Sequence, residues 1–115
     1  MLEQIEKTML ELGVGFGYMG NEVPIRINNK ILRPDLVFFN VELNGYVIIE
    51  LKLKELTIKD IGQIEFYLKV YDEDIKKHFH NSTIGITISK GVNKKIINYN
   101  KKQNIKHSTY ELVEK

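Results

Sequence analysis

The sequence predicts an α/β domain, a mixed β-sheet flanked by helices in the order α-β-β-β-α-β-α-β. Apolar residues recur at helical spacing in residues 2–12 and again in 58–72, with β-rich runs between and after them. Two hairpin signals, Asn28-Asn29-Lys30 and Asn44-Gly45, join successive β-rich runs. A hairpin meander that leads into a helical crossover fits a mixed sheet better than a bundle or a sandwich.

Each element has a local cause. Leu2, Ile5, Met9 and Leu12 form one stripe, and Gly13 stops the first helix. Phe16 to Met19 is short and extended. Residues 22–27 and 31–40 are β-rich, and so is 46–53 beyond the Asn44-Gly45 turn. Thr57 reads as an N-cap with Asp60 three residues on, close to a capping box. Ile58, Ile61, Ile64, Leu68 and Tyr71 form the stripe of the second helix. Residues 83–89 are again β-rich, 92–99 suit a short helix, and 109–113 a last strand.

The totals narrow the function classes. The 115 residues fit one domain with a single modest core. Hydrophobic content of 43% with 28% charged residues describes an ordinary globule, and no apolar run reaches the length of a bilayer span. No membrane association is expected. No charged segment followed by an apolar one marks a secretory leader, so a cytoplasmic setting is expected. The sequence has no cysteine, which removes disulfides, thiolate metal sites and cysteine nucleophiles.

Charge is uneven although the net is only +2. Residues 75–110 hold lysines 76, 77, 90, 94, 95, 101, 102 and 106, all three histidines, and no Asp or Glu. Lys90, Lys94, Lys95, Lys101 and Lys102 are therefore candidate contacts to a polyanion such as DNA. A solvated lysine-rich surface accounts for the same distribution.

The most informative stretch is Val47-Ile48-Ile49-Glu50-Leu51-Lys52-Leu53. Side chains alternate along a strand, so Tyr46, Ile48, Glu50 and Lys52 share one face. Val47, Ile49, Leu51 and Leu53 share the other, the expected core face. An isolated buried charge costs several kcal/mol, on the order found in real proteins, unless it is paired, hydrated or metal-bound. A cross-face ion pair at a strand end is the plain explanation. Asp35, in Arg33-Pro34-Asp35, suggests another. With a tight turn at Asn44-Gly45, position p pairs with 89 minus p. Asp35 then falls near Lys54, or within one or two residues of Lys52 if a bulge or longer turn shifts the register. Two carboxylates and a lysine so gathered suit a hard cation, Mg²⁺ or Mn²⁺.

Pro34-Asp35 followed by Glu50-Leu51-Lys52 resembles the motif of the PDDEXK nuclease superfamily. Residues 10–20, 31–40, 46–53, 60–68 and 82–90 together resemble the YhcG-type nuclease domain found at the C-terminus of longer bacterial proteins. The resemblance covers nearly the whole chain. Its most specific parts are Asp…Glu-x-Lys and Gly-Gln-x-x-x-Tyr, here Gly62, Gln63 and Tyr67. It implies a restriction-endonuclease-like fold and a Mg²⁺- or Mn²⁺-dependent deoxyribonuclease. Asp35, Glu50 and the main-chain carbonyl of Leu51 would hold the metal. Lys52 would orient and activate water, and Gln63 would support the site. Glu3 or Glu11 would add an acid from the first helix, although Glu11 points away from that helix's apolar stripe. DNA, branched DNA included, is the implied partner. A missing N-terminal domain or partner protein and a homodimer are also implied possibilities. A nuclease-like module that binds DNA or protein without cutting is the alternative.

Other motifs carry less. Gly15-Phe16-Gly17-Tyr18-Met19-Gly20 matches G-x-G-x-x-G but follows a helix and leads into a strand, so no dinucleotide site is expected and the glycines suggest a turn. His78 and His80 have no acidic companion close on their C-terminal side, and a surface loop is expected there.

Overall fold

The structure, a computed structural model, describes residues 16–21, 25–27, 30–92 and 104–109. The strands are β1 (Phe16–Asn21), β2 (Ile25–Ile27), β3 (Lys30–Leu32), β4 (Leu36–Asn40), β5 (Gly45–Leu51), β6 (Glu55–Leu56), β7 (Ile84–Ser89), β8 (Gly91–Val92) and β9 (Ile105–Thr109). Among the described residues the α-helix is α1 (Ile58–Val70), which lies between β6 and β7 and runs into a π-helical turn at Tyr71–Ile75. Five strands form the main sheet in the order β1-β4-β5-β7-β9. β1, β4 and β5 are mutually antiparallel, whereas β7 and β9 run parallel to β5. The mixed sheet is as expected. The helix expected at 2–12 and all but the first residue of the one expected at 92–99 lie outside the described residues, and so do Glu3, Glu11, Lys94, Lys95, Lys101 and Lys102. Among the described residues, no helix is long and apolar enough to cross a membrane.

Several expectations are corrected. The strand expected over 31–40 is split into β3 and β4, because Pro34 cannot donate to a ladder. Phe16 to Met19 is extended as expected, but Gly17 and Gly20 lie within β1 rather than in a turn, with an irregularity between Tyr18 and Gly20 in its pairing with β4. Val92 is in β8, paired with β6 in a two-stranded sheet the sequence did not suggest. β9 at Ile105–Thr109 was not expected, and the strand expected at 109–113 lies, apart from Thr109, outside the described residues.

The hairpin register also differs. Leu36 pairs with Ile49 and Asn40 with Gly45, so paired positions sum to 85 rather than 89. The loop is Val41 to Asn44, closed by an N–H···O bond from Asn44 to Val41 of 3.2 Å. The buried Asn40 side chain accepts from the Leu43 N–H at 2.8 Å, an Asx-type closure. Asn44 adopts φ 51°, a left-handed conformation that asparagine tolerates.

The core lies on both faces of the sheet. Val37 and Ile48 pack with Tyr67, Leu68, Val70 and Tyr71 under the helix. Phe38, Val47, Ile49, Ile86 and Ile88 form a second cluster on the opposite face. A central strand of a mixed sheet is covered twice, so the Ile48 face is core as well. Ile61, Ile64, Leu68 and Tyr71 are buried as the helical stripe requires, but Ile58 is 61% exposed at the first helical position. Close seating of α1 depends on Gly85, where a Cβ would lie 3.0 Å from Ile64 Cδ1 and 3.2 Å from Leu68 Cδ1.

Candidate active site

The chain gathers polar groups where the carboxyl end of β5 meets the first turns of α1. One step beyond the Leu36–Ile49 pair, Asp35 stands opposite Glu50. The backbone ladder stops there and side chains continue it. The Asp35 N–H donates to Glu50 Oε1 at 3.0 Å, and Asp35 Oδ2 accepts from the Leu51 N–H at 2.7 Å. Asp35 is therefore opposite Glu50, not near Lys54 as a tight turn required, and its register position is two residues from Lys52, as a longer turn allows. The physical cause is the four-residue loop, which shifts the register by four.

Both carboxylates lie on the helix side of the sheet, at the floor of a cleft of about 240 Å³. Arg33, Lys52 and Gln63 also line it. Burial pushes the Glu50 carboxyl up to about 7, and the neighbouring Asp35 charge adds to the rise. Glu50 therefore gains from any cation that approaches the pair.

The rim is built by α1. Thr57 caps the helix, and its Oγ1 accepts from the Asp60 N–H at 3.2 Å while Asp60 Oδ2 accepts from the Thr57 N–H at 2.9 Å. The expected capping box is present. Asp60, Gln63 and Tyr67 follow at i, i+3 and i+7, which puts them on one helical face toward the cleft. Gln63 Nε2 donates to the Tyr67 hydroxyl at 2.9 Å. Tyr67 is 2% exposed, and burial together with the Glu50 charge raises its pKa. Lys52 does not contact either acid of the pair. Its Nζ lies 3.1 Å from Asp60 Oδ1. Burial alone would raise the Asp60 pKa, but the Thr57 hydrogen bonds and the Lys52 ammonium outweigh it and hold it below the usual value.

Lys90 is exposed at the same end of the sheet, its N–H donating to the Lys54 carbonyl at 3.2 Å. His80 is not a metal ligand in this arrangement, because its Nδ1 accepts from the Lys77 N–H at 3.0 Å and its ring packs on Phe39 and Tyr46. A larger groove of about 870 Å³ runs along the other side of α1, among Glu65, Lys69, Asp72 and Asn104, and none of the candidate catalytic residues lines it.

The donor set suits a hard divalent cation. It offers two carboxylates with the Leu51 main chain between them on the cleft wall. Among the described residues no group of three Asp, Glu, His or Cys side chains gathers. Mg²⁺ keeps several waters and is commonly held by one or two carboxylates, so such a group is not required.

A family model for the YhcG PDDEXK nuclease domain matches residues 1–115. The chain belongs to that family. The model that matches is described as a PDDEXK nuclease domain. The chain is 31% identical over 88 residues to the Escherichia coli (strain K12) protein named "Putative nuclease YhcG", an alignment that covers 76% of this chain and 24% of that protein. A repair endonuclease from Pyrococcus abyssi superposes with a TM-score of 0.58 at 16% identity, over 96% of this chain and 47% of that one. EndoMS in a complex with double-stranded DNA superposes with a TM-score of 0.62 at 15% identity, over 98% and 45%. These neighbours establish the restriction-endonuclease-like fold. The YhcG-type domain here spans about a quarter of its curated relative and less than half of either solved chain.

Sequence reasoning brought Asp35, Glu50, Leu51, Lys52 and Gln63 into consideration, and all five line one cleft. It gave no site role to Arg33 and treated Asp60 only as a cap. Asp60 lies eight residues after Lys52, and its return to the strand depends on the path of residues 53–56, which no local pattern gives.

Proposed function

We propose that this YhcG-type domain is a divalent-metal-dependent deoxyribonuclease whose site is Asp35, Glu50 and Lys52, with Gln63 in support. The observation that carries the reading is the pair of bonds from the Asp35 N–H to Glu50 Oε1 and from the Leu51 N–H to Asp35 Oδ2, which holds two acids together at the end of β5. Asp35, Glu50 and the Leu51 carbonyl would hold Mg²⁺ or Mn²⁺. When bound, such an ion supplies Lewis acidity, acidifying water and polarising a phosphoryl oxygen.

The protein's own groups do the remaining work. Asp35 and Glu50 would position the reacting phosphate relative to β5 only through an ion they hold, since bare carboxylates repel it. The Lys52 ammonium donates to a phosphate oxygen and offsets the charge that grows there as water oxygen bonds to phosphorus and an ester oxygen departs. Gln63, its Nε2 on the Tyr67 hydroxyl, presents its amide carbonyl to orient the attacking water. Arg33 and Lys90 give the cleft a cationic approach for the DNA backbone. Lys94, Lys95, Lys101 and Lys102 lie outside the described residues and join the proposed DNA contact on the charge distribution of the sequence alone.

Residues 1–115 are read as one domain of a longer protein, in keeping with the share of its relatives that it spans. Branched DNA as substrate and a homodimer as the working form belong to the same proposal. The test is cleavage of supercoiled plasmid and a branched oligonucleotide with Mg²⁺ or Mn²⁺. Asp35→Ala and Glu50→Ala should abolish cutting and keep DNA binding. Cutting at the wild-type rate by both variants would end the assignment. Metal-insensitive, salt-dependent binding without cutting would identify a non-cleaving module instead.

A further inference from the structure

We infer that Asp60 is a positioning residue for Lys52, tying the placement of that ammonium to the first turn of α1. The inference rests on the nuclease reading above and concerns a residue to which that reading gives no part.

The two oxygens of Asp60 have separate tasks. Oδ2 accepts both from the Thr57 N–H and from Thr57 Oγ1, each at 2.9 Å, which completes the cap. Oδ1 is left for Lys52 Nζ at 3.1 Å. A cap alone needs only the first. Glutamate is the usual partner in a capping box, and its longer chain would carry the second oxygen to a different place. The Asp60 side chain is 16% exposed and that of Lys52 44% exposed. The anchor is thus the fixed member and the lysine the mobile one. A lysine on a flexible four-carbon stem has many positions open to it in a solvated cleft. A partly exposed ion pair adds little stability, so its value here is in geometry. Lys52 sits on the carboxyl side of Glu50, and Asp60 shares a helical face with Gln63 and Tyr67. The pair therefore places the ammonium between the strand that carries the acids and the helix that carries the amide.

The experiment compares Asp60→Asn, Asp60→Glu, Thr57→Ala, Lys52→Ala and Glu50→Ala with the wild type. Asparagine keeps an oxygen for the cap and removes the charge. Asp60→Asn should lower kcat about 10- to 100-fold, leave KM within about twofold, and leave Tm nearly unchanged. Thr57→Ala should lower Tm and leave kcat within about twofold. Asp60→Asn added to Lys52→Ala should cause no further loss. The second readout needs no metal and no cutting. Acetic anhydride labelling, mapped by mass spectrometry with Lys54 as the internal reference, should modify Lys52 several-fold faster in Asp60→Asn. Thr57→Ala should label as the wild type does, and Asp60→Glu should restore part of the protection. Wild-type kcat and wild-type Lys52 labelling in Asp60→Asn would overturn the inference, as would a loss that merely follows Tm in both helix-cap variants. Wild-type cutting by Lys52→Ala and Glu50→Ala would instead sink the nuclease site itself. The labelling of Lys52 would then still decide whether Asp60 positions it.

Discussion

Asp35 and Glu50 face each other across the ends of β4 and β5 and share a hydrogen bond, the Asp35 N–H donating to Glu50 Oε1 at 3.0 Å. Asp35 Oδ2 in turn accepts from Leu51 N–H at 2.7 Å, so the pair is locked to the main chain of both strands. A buried acid beside another acid is held at the expense of its ionised form. That relationship leads to several measurable consequences.

The first concerns pH and the stability of the metal-free protein. Glu50 titrates near 7 when folded and near 4.5 in the reference state, so the folded form binds the extra proton between those values. The resulting stabilisation is fully present below the lower value and is lost as pH rises through the upper one. Glu50→Gln removes this dependence and can still accept from the Asp35 N–H. It should be more stable than the wild type by roughly 1–2 kcal/mol near about pH 8, an allowance that includes solvent screening in the cleft. Urea melts of both proteins across this range check it. A pH-independent difference would contradict the raised pKa.

Metal binding should show the same linkage from the other side. A cation held by Glu50 competes with its proton, so binding of Mg²⁺ or Mn²⁺ should tighten as pH rises toward about 8. Below the Glu50 pKa, about one proton should be released per ion. Titration calorimetry in buffers of different ionisation enthalpy measures that number, and no release at about pH 6 would argue against Glu50 as a ligand.

Seating of the helix makes a prediction about packing. Ile64 is fully buried against Gly85, whose missing Cβ leaves room for it. Ile64→Ala should cost about 2–5 kcal/mol by opening a cavity. Gly85→Val should cost about 1–3 kcal/mol by overfilling the same contact. Denaturant midpoints with unchanged slopes would show that both act on stability alone.

The hairpin loop tests the register that makes the site. Asn44 has φ 51° and donates from Nδ2 to the Phe79 carbonyl at 2.7 Å. Asn44→Val should cost at least about 1–2 kcal/mol through the left-handed backbone alone, while Asn44→Gly should lose only the side-chain bond. Equal losses for the two would mean that the backbone conformation carries no strain.

Much of this site was legible in the sequence, and the reasons differ from residue to residue. Asp35, Glu50 and Lys52 were visible because charged residues stand out in strands that are otherwise apolar. Thr57 and Asp60 were visible as a cap because the capping box is a local pattern. The register was not, because Asn44-Gly45 resembles a two-residue turn, and only the buried Asn40 side chain reveals a loop of four. That difference moves Asp35 from the neighbourhood of Lys54 to a position facing Glu50. The break at Pro34 was underweighted, although proline gives it directly. The Lys52–Asp60 pair was out of reach, since it depends on how residues 53–56 return the chain through β6 to the start of α1. The two-sided core was also missed. Alternation of Ile48 with Ile49 reads as one buried face until a helix is known to cover the second.

The most direct test of the central claim titrates Mg²⁺ and Mn²⁺ into the purified domain, wild type against Glu50→Ala, with plasmid and branched-DNA cleavage followed on the same preparations. Circular dichroism confirms that the variant is folded. The account predicts metal binding and cutting by the wild type, and the loss of both in the variant. Metal binding of equal strength in the two proteins, or cutting that survives the loss of Glu50, would contradict it.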